Sequence, residues 1–266
     1  MDTSALKIAI IGAGNMGGAI VRGLITGTLI ENSNIRVSDI GEQGLQSLKA
    51  LAPDITVSTS NTQIVLNADI IIIAVKPWLV EKIAAEISKT INYKQQLIVS
   101  VAADVDFNKL TSLFNDKATM FRLIPNTAID VLQSVSTLAS YNATADQEQL
   151  MKQIFLELGK VFVVPEAQLN AFMSLSSCGI AYAFRYIRAA MEGGVEMGIP
   201  AQTAKEVVLQ TLRGAVELLE LNNTHPEAEI DKVTTPAGIT IKGLNEMEAN
   251  GFTNAVIKGL KASHIK

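Results

Sequence analysis

The sequence predicts an α/β protein with a doubly wound parallel sheet, followed by an all-helical C-terminal part. Two observations predict this: short apolar, β-branched runs alternate with helical stretches from Lys7 to about Pro165, and strand signals then disappear. The 266 residues correspond to one large domain or two smaller ones at roughly 150 residues per domain. We therefore expect a first domain over residues 1–165 and a second over residues 166–266.

Seven strands are predicted in the N-terminal part. Several of them are apolar at every position, which a parallel strand requires when helices cover both faces of its sheet. The predicted strands are Lys7–Ile11, Asn34–Ser38, Ile55–Ser58, Ile70–Val75, Leu97–Val101, Ala118–Leu123 and Val161–Val164.

The C-terminal part shows helical periodicity, with apolar residues at i, i+3, i+4 and i+7 spacing between Ala204 and Leu219. Gly198-Ile199-Pro200 predicts the end of the preceding helix. Such helices form a thin layer by themselves, so we expect them to be buried against a second copy. The charged fraction of 18% is below the roughly 25% of soluble proteins, which agrees with burial in an oligomer or, more simply, in a large core.

Composition excludes several classes of function. The net charge of −4 argues against sequence-independent binding to nucleic acid or to an anionic membrane, which leaves a small-molecule partner. Cys178 is the single cysteine, and with only His225 and His264 we expect neither a disulfide nor a zinc or other metal site. No apolar run approaches the length of a membrane helix, and we expect a cytoplasmic protein.

A glycine-rich motif follows the first predicted strand and opens a helix. In Gly12-Ala13-Gly14-Asn15-Met16-Gly17 the first glycine permits a tight turn, the second lets the backbone approach a pyrophosphate, and the third lets the helix pack on the strand. The helix N-terminus favours the negative charge. The motif therefore predicts a dinucleotide site, and the alternative is a turn without a ligand.

Two further segments follow predicted strands of the same sheet. Asp39 lies where a carboxylate usually binds the ribose hydroxyls of NAD and repels the 2′-phosphate of NADP, although Ser38 could bind a phosphate and Asp39 could be a solvated turn residue. Lys76 and Pro77 end the strand at the edge where ligands bind, and Lys76 could contact a ribose or phosphate.

Four motifs, in this order and spread over nearly the whole chain, resemble the pyrroline-5-carboxylate reductase family. They are Ile11 to Met16, Ala74 to Pro77, Arg122-Leu123-Ile124-Pro125-Asn126-Thr127, and Thr235-Pro236-Ala237-Gly238-Ile239-Thr240. The resemblance implies reduction of the cyclic imine 1-pyrroline-5-carboxylate to L-proline, the last step of proline biosynthesis, with NADPH or NADH. It also implies an N-terminal Rossmann domain and a helical dimerisation domain, giving a homodimer through the C-terminal helices and, as a further assembly, a decamer of dimers.

The resemblance also assigns residues. The implied cofactor-binding positions are Ile11, Gly12, Gly14, Asn15, Met16, Gly17, Ser38, Asp39, Asn61, Ala74, Val75, Lys76, Pro77 and Ala103. The implied substrate-binding positions are Asn126, Ser176, Gly238, Ile239 and Thr240. With no suitable histidine, Thr240 is the candidate catalytic residue near the imine nitrogen, and its alternative is a helix-capping threonine.

This chain departs from the usual family pattern close to the expected substrate pocket. Ser177 and Ile180 replace a glycine and a proline, and Asp104 and Ala237 each replace a glycine. These departures leave open a reductase of a different imine or related small acid, or a non-catalytic dinucleotide-binding homologue. A β-hydroxyacid dehydrogenase would need a lysine on the long helix after the domain boundary, and none occurs between Lys160 and Lys205.

Overall fold

A computed structural model describes residue 3 and residues 5–264 of the chain. Within them, eight strands form one sheet in the order β3-β2-β1-β4-β5-β6-β7-β8. Neighbouring strands are parallel, except that β6 and β7 are antiparallel. The strands are β1 (Ile8–Ile11), β2 (Ile35–Ser38), β3 (Thr56–Ser58), β4 (Ile70–Ile73), β5 (Leu97–Ser100), β6 (Met120–Ile124), β7 (Ser134–Tyr141) and β8 (Gly159–Val163).

The expectation of seven strands in an all-parallel sheet is wrong in one respect, because β7 was not predicted. Its sequence Ser-Val-Ser-Thr-Leu-Ala-Ser-Tyr interrupts every apolar run with hydroxyl side chains. Ser134, Ser136 and Thr137 are nevertheless buried. A pattern search for apolar residues therefore misses the strand, and the sheet is mixed rather than wholly parallel.

Seven helices belong to the sheet-containing part of the described chain. They are α1 (Asn15–Thr26), α2 (Glu42–Leu51), α3 (Asn61–Val65), α4 (Val80–Ile87), α5 (Phe107–Leu113), α6 (Ala145–Leu156) and α7 (Leu169–Met173). Short 3-10 helices also occur, among them Thr127–Val131, and a π-helix, Ser174–Cys178, follows α7.

Both faces of the sheet are covered, so the doubly wound arrangement is confirmed. Ile8 and Ile10 of β1 pack into one core with α1, α2 and α6. Ala9 and Ile11 point to the other face and pack with α3, α4, α5 and α7. This alternation explains why β1 is apolar at every position. In the sheet, β2 lies on one side of β1 and β4 lies on the other side. The strand order therefore reverses between β1 and β4, which is the topological switch point of the sheet.

The chain divides into two compact units, with the division between Ser177 and Cys178. The second unit is all-helical in its described residues, in agreement with the absence of strand signals. Its helices are α8 (Gly179–Glu196), α9 (Ala201–Asn222), α10 (Pro226–Lys232), α11 (Ile239–Ala249) and α12 (Phe252–Ala262). None of the described helices is both long and apolar enough to span a membrane.

Very little of the second unit is buried within its own chain. Gly194 and Ala204 are the only buried residues between 178 and 264. They lie at the contact of α8 with α9, where a Cβ at Gly194 would come within 3.0 Å of the Ala204 Cβ. Large apolar side chains such as Phe184, Leu218 and Leu221 are more than half exposed. Such a surface needs another protein surface to cover it.

Candidate active site

The glycine loop between β1 and α1 lies at the switch point and is shaped by close backbone contacts. Gly12 has φ 105°, and a Cβ there would lie 2.5 Å from the carbonyl oxygen of Ala74. A Cβ at Gly17 would lie 2.0 Å from the carbonyl oxygen of Gly12. A side chain is therefore excluded at both positions, as the motif predicts.

Gly14 differs, because a Cβ there would have no neighbour within 4 Å. The space beside it is open, and Gly14 is also the N-cap of α1 without a side-chain cap. The first N–H groups of α1 are left for a ligand, and no acidic residue lies in its first turn. The loop thus fits the pyrophosphate of a dinucleotide.

Asp39, just after β2, is fixed to the glycine loop by both oxygens of its carboxylate. The Ala13 N–H donates to Oδ2 at 2.6 Å, and the Gly41 N–H donates to Oδ1 at 2.7 Å. The side chain is half-buried, so it is not merely the solvated turn residue considered from the sequence. The carboxylate of Asp39 therefore connects the turn after β2 to the glycine loop.

Ser38 is fully buried, beside Asp39 at the end of β2. Its hydroxyl donates to Oδ1 of Asn61 at 2.7 Å, and the Asn61 amide donates to Oε2 of Glu86 at 2.9 Å. Both residues were assigned to the cofactor site from the resemblance, and the structure brings them together. The Ser38 proton is already used, which disfavours the alternative in which Ser38 donates to a phosphate.

Ala74 to Pro77 follow β4 on the opposite side of the switch point from Asp39. The Ala74 N–H donates to the Ile11 carbonyl at 2.8 Å, which holds this turn against the glycine loop. Lys76 is exposed, and the next residue after Pro77, Trp78, is 75% exposed. An exposed lysine at the carboxyl edge of the sheet suits contact with an anionic ligand.

Arg122 of β6 holds the loop of Ala103, one of the expected cofactor positions, and sequence reasoning missed this contact. Its guanidinium is almost fully buried, donates to the carbonyl oxygen of Ala103, and pairs with Oε1 of Glu166 at 2.8 Å. The same Glu166 oxygen accepts the Phe107 N–H at 2.8 Å. The available signal was a charged residue inside the apolar run Met-Phe-Arg-Leu-Ile.

Asn126 and Ser176, the two substrate positions expected in the first unit, are both engaged with the protein. Asn126 is buried and its Oδ1 accepts the Ala128 N–H at 3.1 Å. The Ser176 hydroxyl donates to the Phe172 carbonyl at 2.8 Å. Beside it, the Ser177 hydroxyl donates to the Pro125 carbonyl at 2.7 Å, so a departure from the family pattern makes a contact of its own.

The remaining positions expected to bind substrate, Gly238, Ile239 and Thr240, lie at the N-terminus of α11. Gly238 is the N-cap residue, with no side-chain cap, and a Cβ there would lie 2.6 Å from the Thr235 Oγ1. Ile239 and Thr240 are exposed. Because Gly238 and not Thr240 caps α11, the capping alternative for Thr240 loses its basis.

No group of three or more His, Cys, Asp or Glu side chains able to hold a metal ion occurs among the residues that the structure describes.

Comparisons with known proteins assign the two parts of the chain. Residues 166–266 match the family model for pyrroline-5-carboxylate reductase dimerisation, and residues 7–104 match the model described as NADP oxidoreductase, coenzyme F420-dependent. Pyrroline-5-carboxylate reductase of Methanosarcina acetivorans is 34% identical, over 97% of this chain and 96% of that protein. The chain belongs to the pyrroline-5-carboxylate reductase family. This confirms the resemblance drawn from the four motifs.

Two further pyrroline-5-carboxylate reductases extend the comparison. Pyrroline-5-carboxylate reductase 1 of Dictyostelium discoideum is 36% identical over 97% of this chain, which spans 49% of that protein. The crystal structure of the Plasmodium falciparum pyrroline carboxylate reductase with NADP bound has a TM-score of 0.90, 24% identity, and coverage of 98% of this chain and 96% of that one. That similarity confirms the fold. Within the family, the chain is an NAD(P)H-dependent oxidoreductase, and its dimerisation domain indicates a homo-oligomer.

Proposed function

We propose that this chain reduces 1-pyrroline-5-carboxylate to L-proline with NADPH or NADH, as the last step of proline biosynthesis. The observation that carries the proposal is the Gly12–Gly17 loop, which has no room for a side chain at Gly12, beside Ala74, or at Gly17, and which is open at Gly14. Membership of the family supports the choice of substrate.

The cofactor role is assigned to residues around the switch point. When bound there, the reduced dinucleotide supplies the hydride for the C=N bond. The glycine loop and the α1 N-terminus would hold the pyrophosphate, and the Asp39 carboxylate would accept hydrogen bonds from the ribose hydroxyls. The loop positions are Ile11, Gly12, Gly14, Asn15, Met16 and Gly17, and the surrounding positions are Ser38, Asn61, Ala74, Val75, Lys76, Pro77 and Ala103.

The residues proposed to contact the substrate, each considered within its own part of the chain, are Asn126, Ser176, Gly238, Ile239 and Thr240. The N–H groups at the start of α11 suit the carboxylate of an imine acid, because Gly238 leaves them uncapped. An imine accepts hydride more readily when its nitrogen is protonated, so the protein needs chiefly to position the substrate. The Thr240 hydroxyl then holds the nitrogen by a hydrogen bond, directly or through a water.

The assembly follows from the second unit. We propose a homodimer formed through the C-terminal helices, because the apolar side chains of residues 178–264 are largely exposed in one chain. The decamer of dimers and the cytoplasmic location remain parts of the proposal. The domain boundary near residue 165 stays part of the proposal; the dimerisation match, which begins at residue 166, supports it, whereas the compact units divide between Ser177 and Cys178.

One assay tests the activity. The purified protein is mixed with 1-pyrroline-5-carboxylate, and loss of reduced-cofactor absorbance is followed with NADPH and NADH in parallel. We expect turnover, with L-proline identified as the product. Cofactor binding without turnover would favour the two alternatives, a reductase of a different imine or a non-catalytic homologue, and tests with other cyclic imine acids would separate them.

Thr240→Ala tests the residue assignment. We expect impaired turnover or weaker substrate binding with nearly unchanged cofactor affinity. Thr26→Ala is the matched control, because Thr26 is an exposed helical threonine of α1 whose hydroxyl donates only to the Arg22 carbonyl. An equal loss of cofactor binding in Thr240→Ala would show a structural role instead.

A further inference from the structure

We infer that this chain selects NADH over NADPH, and that Asp39 is the residue that determines the choice. The inference rests on the proposed function, because it concerns the cofactor of the same reaction. The family model that matches residues 7–104 is named for NADP, so a preference for NADH would distinguish this chain from that name. The residues that favour NADH lie around the end of β2 and in the first turn of α2.

The position of the Asp39 carboxylate is fixed before any ligand binds. Its two oxygens accept the N–H groups of Ala13 and Gly41 at 2.6 and 2.7 Å. A carboxylate has about four acceptor positions, so roughly two remain for the 2′- and 3′-hydroxyls of a ribose. A hydroxyl can donate to them, whereas a phosphate in the same place brings negative charge against a carboxylate that cannot turn away.

The cations nearest in sequence are occupied elsewhere. Arg36, on β2, donates to the Leu66 carbonyl at 2.7 Å. Lys49, near the end of α2, donates to the Ile55 carbonyl at 2.6 Å. No arginine or lysine occurs between Asp39 and Lys49. A site for a 2′-phosphate normally has an arginine in this region, because a bidentate cation offsets the phosphate charge.

The other groups of the turn also disfavour a phosphate. Ser38 donates its proton to Asn61 and is fully buried. Glu42 lies in the first turn of α2, so a carboxylate already occupies the end of the helix that attracts negative charge. A phosphate ester carries a charge of about −1.5 to −2 at neutral pH and would meet both carboxylates.

Direct binding gives the first test. Dissociation constants for NADH and NADPH are measured without imine by the change in nucleotide fluorescence, at low and high salt. We expect NADH to bind at least tenfold more tightly at low salt. We also expect the ratio of the NADPH to the NADH dissociation constant to become smaller at high salt, because salt screens the repulsion between phosphate and carboxylate. Equal or tighter binding of NADPH to the unmodified protein would overturn the inference, whether or not the protein turns over 1-pyrroline-5-carboxylate.

Substitution tests the residue. Asp39→Asn removes the charge and keeps the shape, so we expect the NADH to NADPH affinity ratio to fall at least fivefold. Asp54→Asn is the matched control, because Asp54 is an exposed aspartate before β3, and it should leave the ratio unchanged. Glu42→Gln should give a smaller fall. An unchanged ratio in both Asp39→Asn and Glu42→Gln would overturn the assignment.

Kinetics separates this inference from the proposed function. With 1-pyrroline-5-carboxylate present, kcat/KM should favour NADH in the same direction as the affinities. Selective NADH binding without turnover would contradict the proposed reaction and leave the cofactor inference supported. Turnover with a preference for NADPH would support the reaction and overturn the inference.

Discussion

The hydroxyl of Ser177 donates a hydrogen bond to the carbonyl oxygen of Pro125 at a distance of 2.7 Å. Ser177 stands where the family usually has a glycine, and it lies in a π-helix, a form that is frequent at functional sites. Pro125 precedes Asn126, one of the proposed substrate contacts. The serine thus holds the segment that carries Asn126.

Ser177→Ala removes this donor. We expect the free energy of unfolding to fall by about 1 kcal/mol, the usual value of one hydrogen bond. We expect the KM for the imine acid to rise up to about fivefold, which corresponds to the same energy, while the dinucleotide affinity is kept. Ser177→Thr, which keeps a hydroxyl, should restore both values. Ser47→Ala is the control, because the Ser47 hydroxyl donates to Gln43 on the exposed side of α2.

The pair of Arg122 and Glu166 gives a prediction about stability. The side chain of Arg122 is 6% exposed and that of Glu166 is 32% exposed. Arg122→Met leaves the Ala103 carbonyl and a partly buried carboxylate without their cation. We expect a loss of about 3 kcal/mol, at the low end for breaking a buried ion pair, measured by urea unfolding.

Lys109→Met is the matched control for this ion pair. The Lys109–Glu81 pair is 49% and 70% exposed, so its loss should cost less than about 1 kcal/mol. Similar losses in Arg122→Met and Lys109→Met would contradict the proposed anchoring role of Arg122. If dinucleotide binding is weakened in Arg122→Met but not in Lys109→Met, the contact of Arg122 with the Ala103 carbonyl positions that loop for the cofactor.

Local motifs were predictable from the sequence, whereas long-range contacts were not. The strand, glycine loop and helix from Ile8 to Thr26 could be predicted because all three follow one another without a gap in the sequence. The bond between Asp39 and Ala13, and that between Ser177 and Pro125, join residues 26 and 52 positions apart. Such contacts depend on how strands and loops come together, which periodicity does not encode. Strand β7 was missed for a different reason, since its buried hydroxyls resemble a loop composition.

Glu157 gives a prediction about pH. Burial alone would raise its pKa, but hydrogen bonds from the Thr28 hydroxyl and from the N–H groups of Thr28 and Leu29 bring the pKa below the ordinary value of 4.5. Since the pKa of Glu157 is lower in the folded state than in the unfolded state, the ionised carboxylate stabilises the fold. This stabilisation is fully present at a pH above the pKa of the unfolded state, and it is lost as the pH falls through the pKa of the folded state.

The difference in unfolding free energy between the native protein and Glu157→Gln should therefore be constant near neutral pH. It should shrink as the pH falls below about 4.5, the ordinary value for this carboxyl. Urea unfolding between pH 3 and 7 measures it, with roughly half-unit steps to define the slope. Glu31→Gln, at an exposed glutamate, is the control. A difference that grows on acidification would contradict the assignment.

Ala237 has φ 59°, in the left-handed region, at a position where the family usually has glycine. An L-residue in this conformation destabilises the fold by roughly 1–2 kcal/mol, which a glycine would avoid. Glycine, however, loses more conformational entropy on folding, which costs about 0.5–1 kcal/mol. We expect Ala237→Gly to keep or slightly raise the free energy of unfolding. Ala237→Val should lower it by about 1–2 kcal/mol, because a β-branched residue fits this region poorly.

The same substitutions test whether the turn before α11 shapes the proposed substrate loop. Ala237→Gly should leave the KM for the imine acid nearly unchanged, whereas Ala237→Val should raise it and keep the dinucleotide affinity. Ala249→Val, at the exposed last residue of α11, is the control for placing a valine where the backbone is right-handed, and it should cost only about 0.5 kcal/mol. If Ala237→Val behaves like Ala249→Val in both stability and KM, the left-handed turn has no part in holding the substrate. A larger effect confined to Ala237→Val would instead assign the shape of the loop to this one backbone conformation.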